Sequence, residues 1–247
     1  MRLKEKYKHF EELHELYAPS KIVPVIQQIV NPNSIVDVGC GLGTFLRIFR
    51  EKGVRNILGI DGEWCNRELL FKNISEQEFM ESDLEQQIKS DQNFDLVICL
   101  EVAEHLSPAR ANSFVEDLVS LGNVILFSAA IPGSGGINHI NEQWPEYWEE
   151  KFKKLGYIKH DILKEYFWND PGIWWWYKQN MVLYTRENYS FENRLSLTYN
   201  NLNNAIHPQL YTSKINLINK IIRGRASVFY YIKLLIKAIL YRLKFYR

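Results

Sequence analysis

Asp37-Val-Gly39-Cys-Gly41-Leu-Gly43-Thr44 is the stretch on which the reading of this chain turns. The short apolar run Ile35-Val-Asp-Val leads into it, and Thr44-Phe-Leu-Arg-Ile-Phe-Arg-Glu-Lys leaves it with helical spacing, Gly53 fitting the helix end. A strand that runs into glycines and opens a helix is a ligand cradle. Glycine lets the backbone turn tightly and approach a bound molecule, while the first N–H groups of the helix point at it. The spacing here is GxGxG, whereas a nicotinamide-type loop is GxGxxG. Asn56-Ile-Leu-Gly-Ile-Asp61 reads as the next strand, and a carboxylate at its end is placed to accept hydrogen bonds from two ribose hydroxyls.

Working outward, residues 5–30 read as one or two helices, with Pro24 near the start of the second. Phe94–Leu100 is another apolar run, followed by a helix over about Ala109 to Leu121 and a strand from Asn123 to Ser128. Trp144–Leu155 looks helical, Tyr157–Phe167 extended, and Gln179–Arg186 a last strand. Apolar strands alternating with helices predict a Rossmann-like α/β fold, a doubly wound and mostly parallel sheet with helices on both faces.

With 46% hydrophobic and 24% charged residues, the 247-residue chain has the make-up of a globular protein with a sizeable core rather than a disordered one. Cys40, Cys65 and Cys99 show no paired spacing that would suggest structural zinc. The N-terminus lacks the apolar core of a signal peptide, so a cytoplasmic location is expected. The net charge of +1 conceals an asymmetry. Residues 193–247 hold ten of the 30 basic residues and none of the 29 acids, which leaves the first 192 at −9. We therefore expect a domain over 1–192, with N-terminal helices in 1–30, and a basic helical extension over 193–247. Val228, Phe229, Ile232, Leu235, Ile236, Ile239, Leu240 and Leu243 share one helical face, and Lys233, Lys237 and Lys244 another. Charges interrupt the run too often for a membrane span. Such a helix can lie on an anionic membrane surface, here the inner face, or pack on the body or on a second subunit.

The glycine loop and the acids around it resemble those of class I S-adenosylmethionine-dependent methyltransferases, from about Ile35 to Arg186. The resemblance implies that Asp37, with Gly39, Gly41 and Gly43, holds the amino-acid end of S-adenosylmethionine. It implies also that Asp61 binds the ribose, and that Asp83 and Leu84 of Met80-Glu-Ser-Asp-Leu meet the adenine. Phe94–Pro108, which includes Leu100 and Glu101, looks like the family's fourth-strand motif. Within it, Glu101-Val-Ala-Glu104-His105, with His139 further on, resembles metal-dependent 2′-O-methyltransferases of small RNAs and ubiquinone-pathway O-methyltransferases. That resemblance implies a Mg²⁺-like divalent cation on Glu101, Glu104, His105 and His139, with Glu104, His105 and His139 as catalytic residues. The alternative is a metal-free site in which Glu101 lines the pocket, Glu104 caps a helix and His105 is a general base.

Ser128-Ala-Ala-Ile-Pro-Gly and Asn138-His-Ile-Asn-Glu-Gln-Trp-Pro-Glu-Tyr-Trp148 resemble bacterial methyltransferases of the surface-polysaccharide type, which implies a sugar or other small polar hydroxyl as acceptor. Asn141–Trp148 and Trp168–Asn180 are rich in aromatic and amide side chains that suit sugar rings or stacked bases, or else serve as core packing or a lid. An RNA 2′-O-methyltransferase is the alternative enzyme, though an acidic body disfavours nucleic acid. A non-catalytic cofactor-binding scaffold is the alternative from another class. His160 and His207 are read as structural, and oligomeric state is open.

Overall fold

A computed structural model describes residues 16–191 and 205–245, and the chain divides into two compact units, Met1–Ala205 and Ile206–Arg247. In the first unit, helix α1 (Tyr17–Val30) precedes strand β1 (Ser34–Val38), helix α2 (Thr44–Glu51) and strand β2 (Asn56–Asp61). A short helix α3 (Arg67–Leu70) leads to β3 (Phe79–Glu81), β4 (Leu96–Leu100), α4 (Ala111–Leu121) and β5 (Val124–Ser128). The unit closes with α5 (Pro145–Lys154), β6 (Tyr157–His160), α6 (Leu163–Phe167), α7 (Trp175–Asn180) and β7 (Val182–Arg186).

The strands form one seven-stranded sheet in the order β3-β2-β1-β4-β5-β7-β6. The pairings among β1 to β5 are parallel, whereas β7 runs antiparallel to both β5 and β6. The predicted doubly wound, mostly parallel sheet is thus the observed one. Its buried strands alternate between two cores. Ile35, Leu96, Ile98, Val124, Leu126 and Leu183 pack with α1 and α2 on one face. Val36, Val38, Val97, Ile125, Phe127 and Tyr184 pack with α4 and α5 on the other. The strand order reverses between β1 and β4, and ligands of open α/β sheets bind at the carboxyl ends of the strands there.

Three expectations are corrected. Pro24 lies inside α1 rather than at the start of a second helix. Residues 1–15, the rest of the expected N-terminal helices, fall outside the described residues. The extended reading of Tyr157–Phe167 holds only to His160, because Leu163, buried with Phe167, turns the chain into α6. The last strand begins at Val182, since Gln179 and Asn180 end α7. Among the seven tryptophans only Trp148 is buried, against Phe127 in the core, so the aromatic segments are mostly not core. His160 is structural, its Nε2 2.8 Å from Thr185 Oγ1, which joins β6 to β7.

A buried clamp fixes the loop after β3. Arg110, just ahead of α4, donates to the carbonyls of Leu84 (3.0 Å) and Gln86 (2.7 Å) and pairs with Asp117. Asp117 also accepts from the Ile88 N–H at 3.0 Å.

In the second unit, α8 (Pro208–Ile222) and α9 (Val228–Phe245) are separated by Gly224, whose φ of +66° ends the first helix. The Tyr231 hydroxyl donates to the Ile221 carbonyl at 2.7 Å and fixes the corner. His207 caps α8, its Nδ1 accepting from the Gln209 N–H. Among the described residues, no helix is long and apolar enough to cross a membrane.

Candidate active site

The loop after β1 holds its shape through three left-handed glycines: Gly39, Gly41 and Gly43 have φ of +79°, +54° and +70°. Gly39 is confined twice over. A Cβ there would also stand 2.3 Å from Val102 Cγ2, on the turn that follows β4. The N–H groups of Gly39 and Cys40 donate to the Ile60 carbonyl, at 2.7 and 3.1 Å. Asp61 then bridges two loops: its Oδ2 accepts from the Gly41 N–H at 2.8 Å and its Oδ1 from the Gly62 N–H at 2.7 Å. Cys65 Sγ and Asn73 Nδ2 donate to the carbonyls of Gly41 and Leu42, each at 2.8 Å.

Asp37 and Asp61 are both buried. Burial, with the Asp61 charge added, pushes the Asp37 carboxyl up to about 8. Burial raises Asp61 to about 6, and the N–H groups of Gly41 and Gly62 restrain the rise. Two opposed buried carboxyls suit a ligand that brings positive charge and hydroxyl donors. The Ser82 N–H donates to the Asp61 carbonyl at 2.8 Å, which sets the end of β3 beside the end of β2. Asp83 there is exposed, Leu84 is buried, and the Arg110 clamp holds the segment.

A second constellation stands where β4 runs out past the buried Leu100. Glu101 adopts φ +56°, a conformation that costs a non-glycine residue on the order of 1–3 kcal/mol. Its N–H is held by both the carbonyl (3.1 Å) and the Oγ (3.0 Å) of Ser128, and its Oε1 accepts from Asn180 Nδ2 at 3.2 Å. A single turn, Ala103–His105, follows. Glu104 is fully buried in it, with the Glu101 carboxyl and the Ala130 backbone beside its own carboxyl group. Burial and the neighbouring Glu101 charge raise the Glu104 carboxyl well above the usual carboxylate range. Burial raises Glu101 as well, opposed by Ser128, Asn180 and His139.

The loop after β5 folds back onto this turn. The N–H groups of Ile140 and Asn141 donate to the Glu104 carbonyl at 2.9 and 3.0 Å, which delivers His139 to His105. The two rings meet edge to face, 4.8 Å between centroids. Glu104, His105 and His139 each offer a ligand atom, all within 4.8 Å of one another. Glu101 is not part of that trio.

Four residues of the site escaped the sequence reading. Glu142 Oε1 lies 3.0 Å from His139 Nδ1, and its two oxygens accept from the N–H groups of Gly133 and Gly135 at 2.7 Å. Burial raises the Glu142 carboxyl, but His139 and those N–H groups outweigh it and hold the group below its ordinary value. A Cβ at Gly136 would stand 2.2 Å from His139 Nε2, so only a residue without a side chain lets the imidazole ring pack where it does. Ser128 and Asn180 hold Glu101. The one available signal was Glu142, three residues beyond His139, since a carboxylate commonly orients an imidazole through one nitrogen.

With this geometry in place, the class of protein is defined. A family model described as a methyltransferase domain matches residues 7–181, and the chain belongs to that family. More particularly, it is 26% identical over 159 residues to the mitochondrial ubiquinone biosynthesis O-methyltransferase of Dictyostelium discoideum, a match covering 54% of this chain. The match covers 48% of that relative, so the chain spans about half the length of the curated protein it resembles. Among solved structures, the magnesium protoporphyrin IX methyltransferase of Synechocystis PCC 6803 with bound SAM superposes with a TM-score of 0.52 and 18% identity. That match covers 71% of this chain and 81% of the other. An O-methyltransferase family protein from Burkholderia thailandensis gives 0.51 and 11%, covering 71% and 56%. The methyltransferase domain of bacterial CtHen1 gives 0.50 and 20%, covering 70% and 99%. At these identities the likeness is one of fold.

Proposed function

We propose that this chain transfers the methyl group of S-adenosylmethionine to a hydroxyl oxygen of a sugar or other small polar acceptor. The observation that carries the reading is the trio of buried Glu104 with His105 and His139, each offering a ligand atom within 4.8 Å of the others, at the end of a strand that abuts the glycine loop. A buried carboxyl held beside a second acid is costly, and such perturbed groups cluster at functional sites. The relationship to an O-methyltransferase of ubiquinone biosynthesis supports oxygen as the acceptor atom.

In this reading Asp61 accepts from the ribose hydroxyls and Asp37 faces the ammonium of the cofactor's amino-acid end. Asp83 and Leu84 border the adenine, and Leu100 and Glu101 line the floor. The acceptor oxygen attacks the methyl carbon in line with the C–S bond. That bond's electron pair returns to sulfur, leaving a neutral thioether, and the hydroxyl proton passes to a ring nitrogen of His105 or His139. Since the sulfonium is already a good leaving group, positioning supplies much of the rate. Glu142 fixes the His139 ring through Nδ1, and the ring packs over Gly136, where no side chain stands in its way.

The residues also fit a divalent cation, because a carboxyl and two imidazoles whose ligand atoms lie within 4.8 Å of one another are a donor set such an ion takes. Glu104, His105 and His139 would hold it, and when bound it supplies Lewis-acid polarisation that lowers the acceptor's pKa. The exposed Trp174, stacked on Trp176 at 4.8 Å, and the acidic body support a glycan or small polar acceptor, in keeping with a role in polysaccharide biosynthesis.

The test is transfer of labelled methyl from S-adenosylmethionine to fractionated cell extract, read by mass spectrometry with and without a chelator. Label in glycan or nucleotide-sugar fractions is expected, and its loss with chelator supports the cation. Label confined to RNA refutes the acceptor. Cofactor bound with no label in any fraction refutes the activity and favours a scaffold.

A further inference from the structure

The second unit presents an unusual surface. On α9, Val228, Phe229, Ile232, Leu235, Ile236, Ile239, Leu240 and Leu243 are between 49% and 77% exposed. At ~100° per residue these eight fill one unbroken arc about 140° wide, from Leu235 round to Leu240. Arg242 borders the arc on one side and Lys233 and Lys237 on the other, all exposed. Helix α8 adds exposed Tyr211, Leu217, Ile218 and Ile222, with Lys220 on its polar side. A contiguous apolar face of this size marks an interaction surface rather than a solvated helix.

We infer that α9 is an in-plane membrane anchor, seated in the interface of a bilayer rich in anionic lipid. Charge complementarity selects this occupant. No acidic residue follows Glu192, and cations bracket both edges of the apolar arc at the level where lipid phosphates lie when the arc is immersed. A second copy would bring the same cations against these with no carboxylate in either segment to pair them. The helix lies on the membrane rather than across it, since no described helix is long and apolar enough to span.

The inference stands apart from the proposed chemistry and is tested on the full chain by flotation with vesicles. Vesicles of phosphatidylcholine with about one third phosphatidylglycerol are compared with pure phosphatidylcholine, across a salt series. Binding to the anionic vesicles is expected, weakening with salt. Replacing Lys233, Lys237 and Arg242 together by Gln should weaken it roughly a hundredfold, at about fivefold per cation. The pair Ile236→Asp and Ile239→Asp should abolish it while S-adenosylmethionine binding and circular dichroism stay as in the wild type. Equal binding to neutral vesicles, or none to anionic ones, overturns the inference. So does a lipid-free dimer in sedimentation velocity that the Asp pair dissolves, because the face would then belong to a second copy.

Discussion

Replacement of Gly39 by Ala tests whether the glycine loop and the Glu101–His105 turn are one mechanical unit. The new methyl meets two penalties that can be separated. At φ +79° an L-residue costs roughly 1–2 kcal/mol over glycine. The Cβ would also stand 2.3 Å from Val102 Cγ2, 3.1 Å from Cγ1 and 3.3 Å from Cβ, and a branched side chain with little exposure has few places to move. Overpacking of this kind costs about 1–3 kcal/mol, while the stiffer unfolded chain returns roughly 0.4–1 kcal/mol. The net expectation for Gly39→Ala is about 2–4 kcal/mol of lost stability. Val102→Ala alone leaves a small cavity and should cost about 1.5–3 kcal/mol.

The double variant removes both Val102 methyls that the new side chain at position 39 would strike, leaving only the φ penalty and a gap partly filled by the added methyl. It should therefore be more stable than the sum of the single losses predicts, by about 1–3 kcal/mol. Urea unfolding followed by circular dichroism, with S-adenosylmethionine absent, measures all four corners of the cycle. A double variant additive to within ~0.5 kcal/mol refutes the steric account and leaves φ alone as the reason for glycine. A Gly39→Ala loss below about 1 kcal/mol would refute both.

The buried acids carry three further expectations. Asp37 and Asp61 have folded pKa values raised to about 8 and about 6, so the ligand-free fold binds more protons than the unfolded chain. Their stabilising contribution is complete below pH ~4 and is lost as pH rises to about 8, while affinity for S-adenosylmethionine, which needs them ionised, should climb over the same window. Melting curves of wild type against Asp37→Asn, with calorimetric titration from about pH 5.5 to 8, check both slopes, and affinity that is flat or falling with pH rejects the carboxylate roles. Glu104→Gln keeps the shape and replaces a carboxyl whose ionised form burial disfavours, so its melting temperature should hold or rise while methyl transfer falls by about a hundredfold or more. Transfer within about threefold of wild type would show that this carboxylate takes no part. Asp117→Ala strands the buried Arg110 and should cost about 3–5 kcal/mol in chemical unfolding, and a loss under about 1 kcal/mol would show the pair to be solvated.

How much of this could be seen in the sequence differs between the two halves of the site. The cofactor half was legible because its residues obey local rules. Strand β1, three glycines at alternate positions, helix α2 and an acid at the end of β2 each leave a mark within a few residues of one another. The helix over 163–167 was not legible, because its five residues are too few to establish a helical period and the buried Leu163 and Phe167 decide it by packing. The antiparallel β7 could be read as a strand but not as a direction, which depends on what it pairs with.

The reacting half was legible as a list of residue types and not as an arrangement. Nothing within Glu101-Val-Ala-Glu104-His105 says that Glu101 turns left-handed, a choice that local preference opposes. The choice is imposed from β5, where Ser128 holds the Glu101 N–H with two oxygens, and the strained residue then swings the chain into the tight turn that buries Glu104. His139 arrives by the same logic. It lies far along the chain from His105, and two N–H bonds to the Glu104 carbonyl close that gap. Gly39 packed under Val102 then makes the turn lean on the glycine loop. Displacement of the loop by its ligand would therefore be felt first at Val102 and next at the buried Glu104 two residues on.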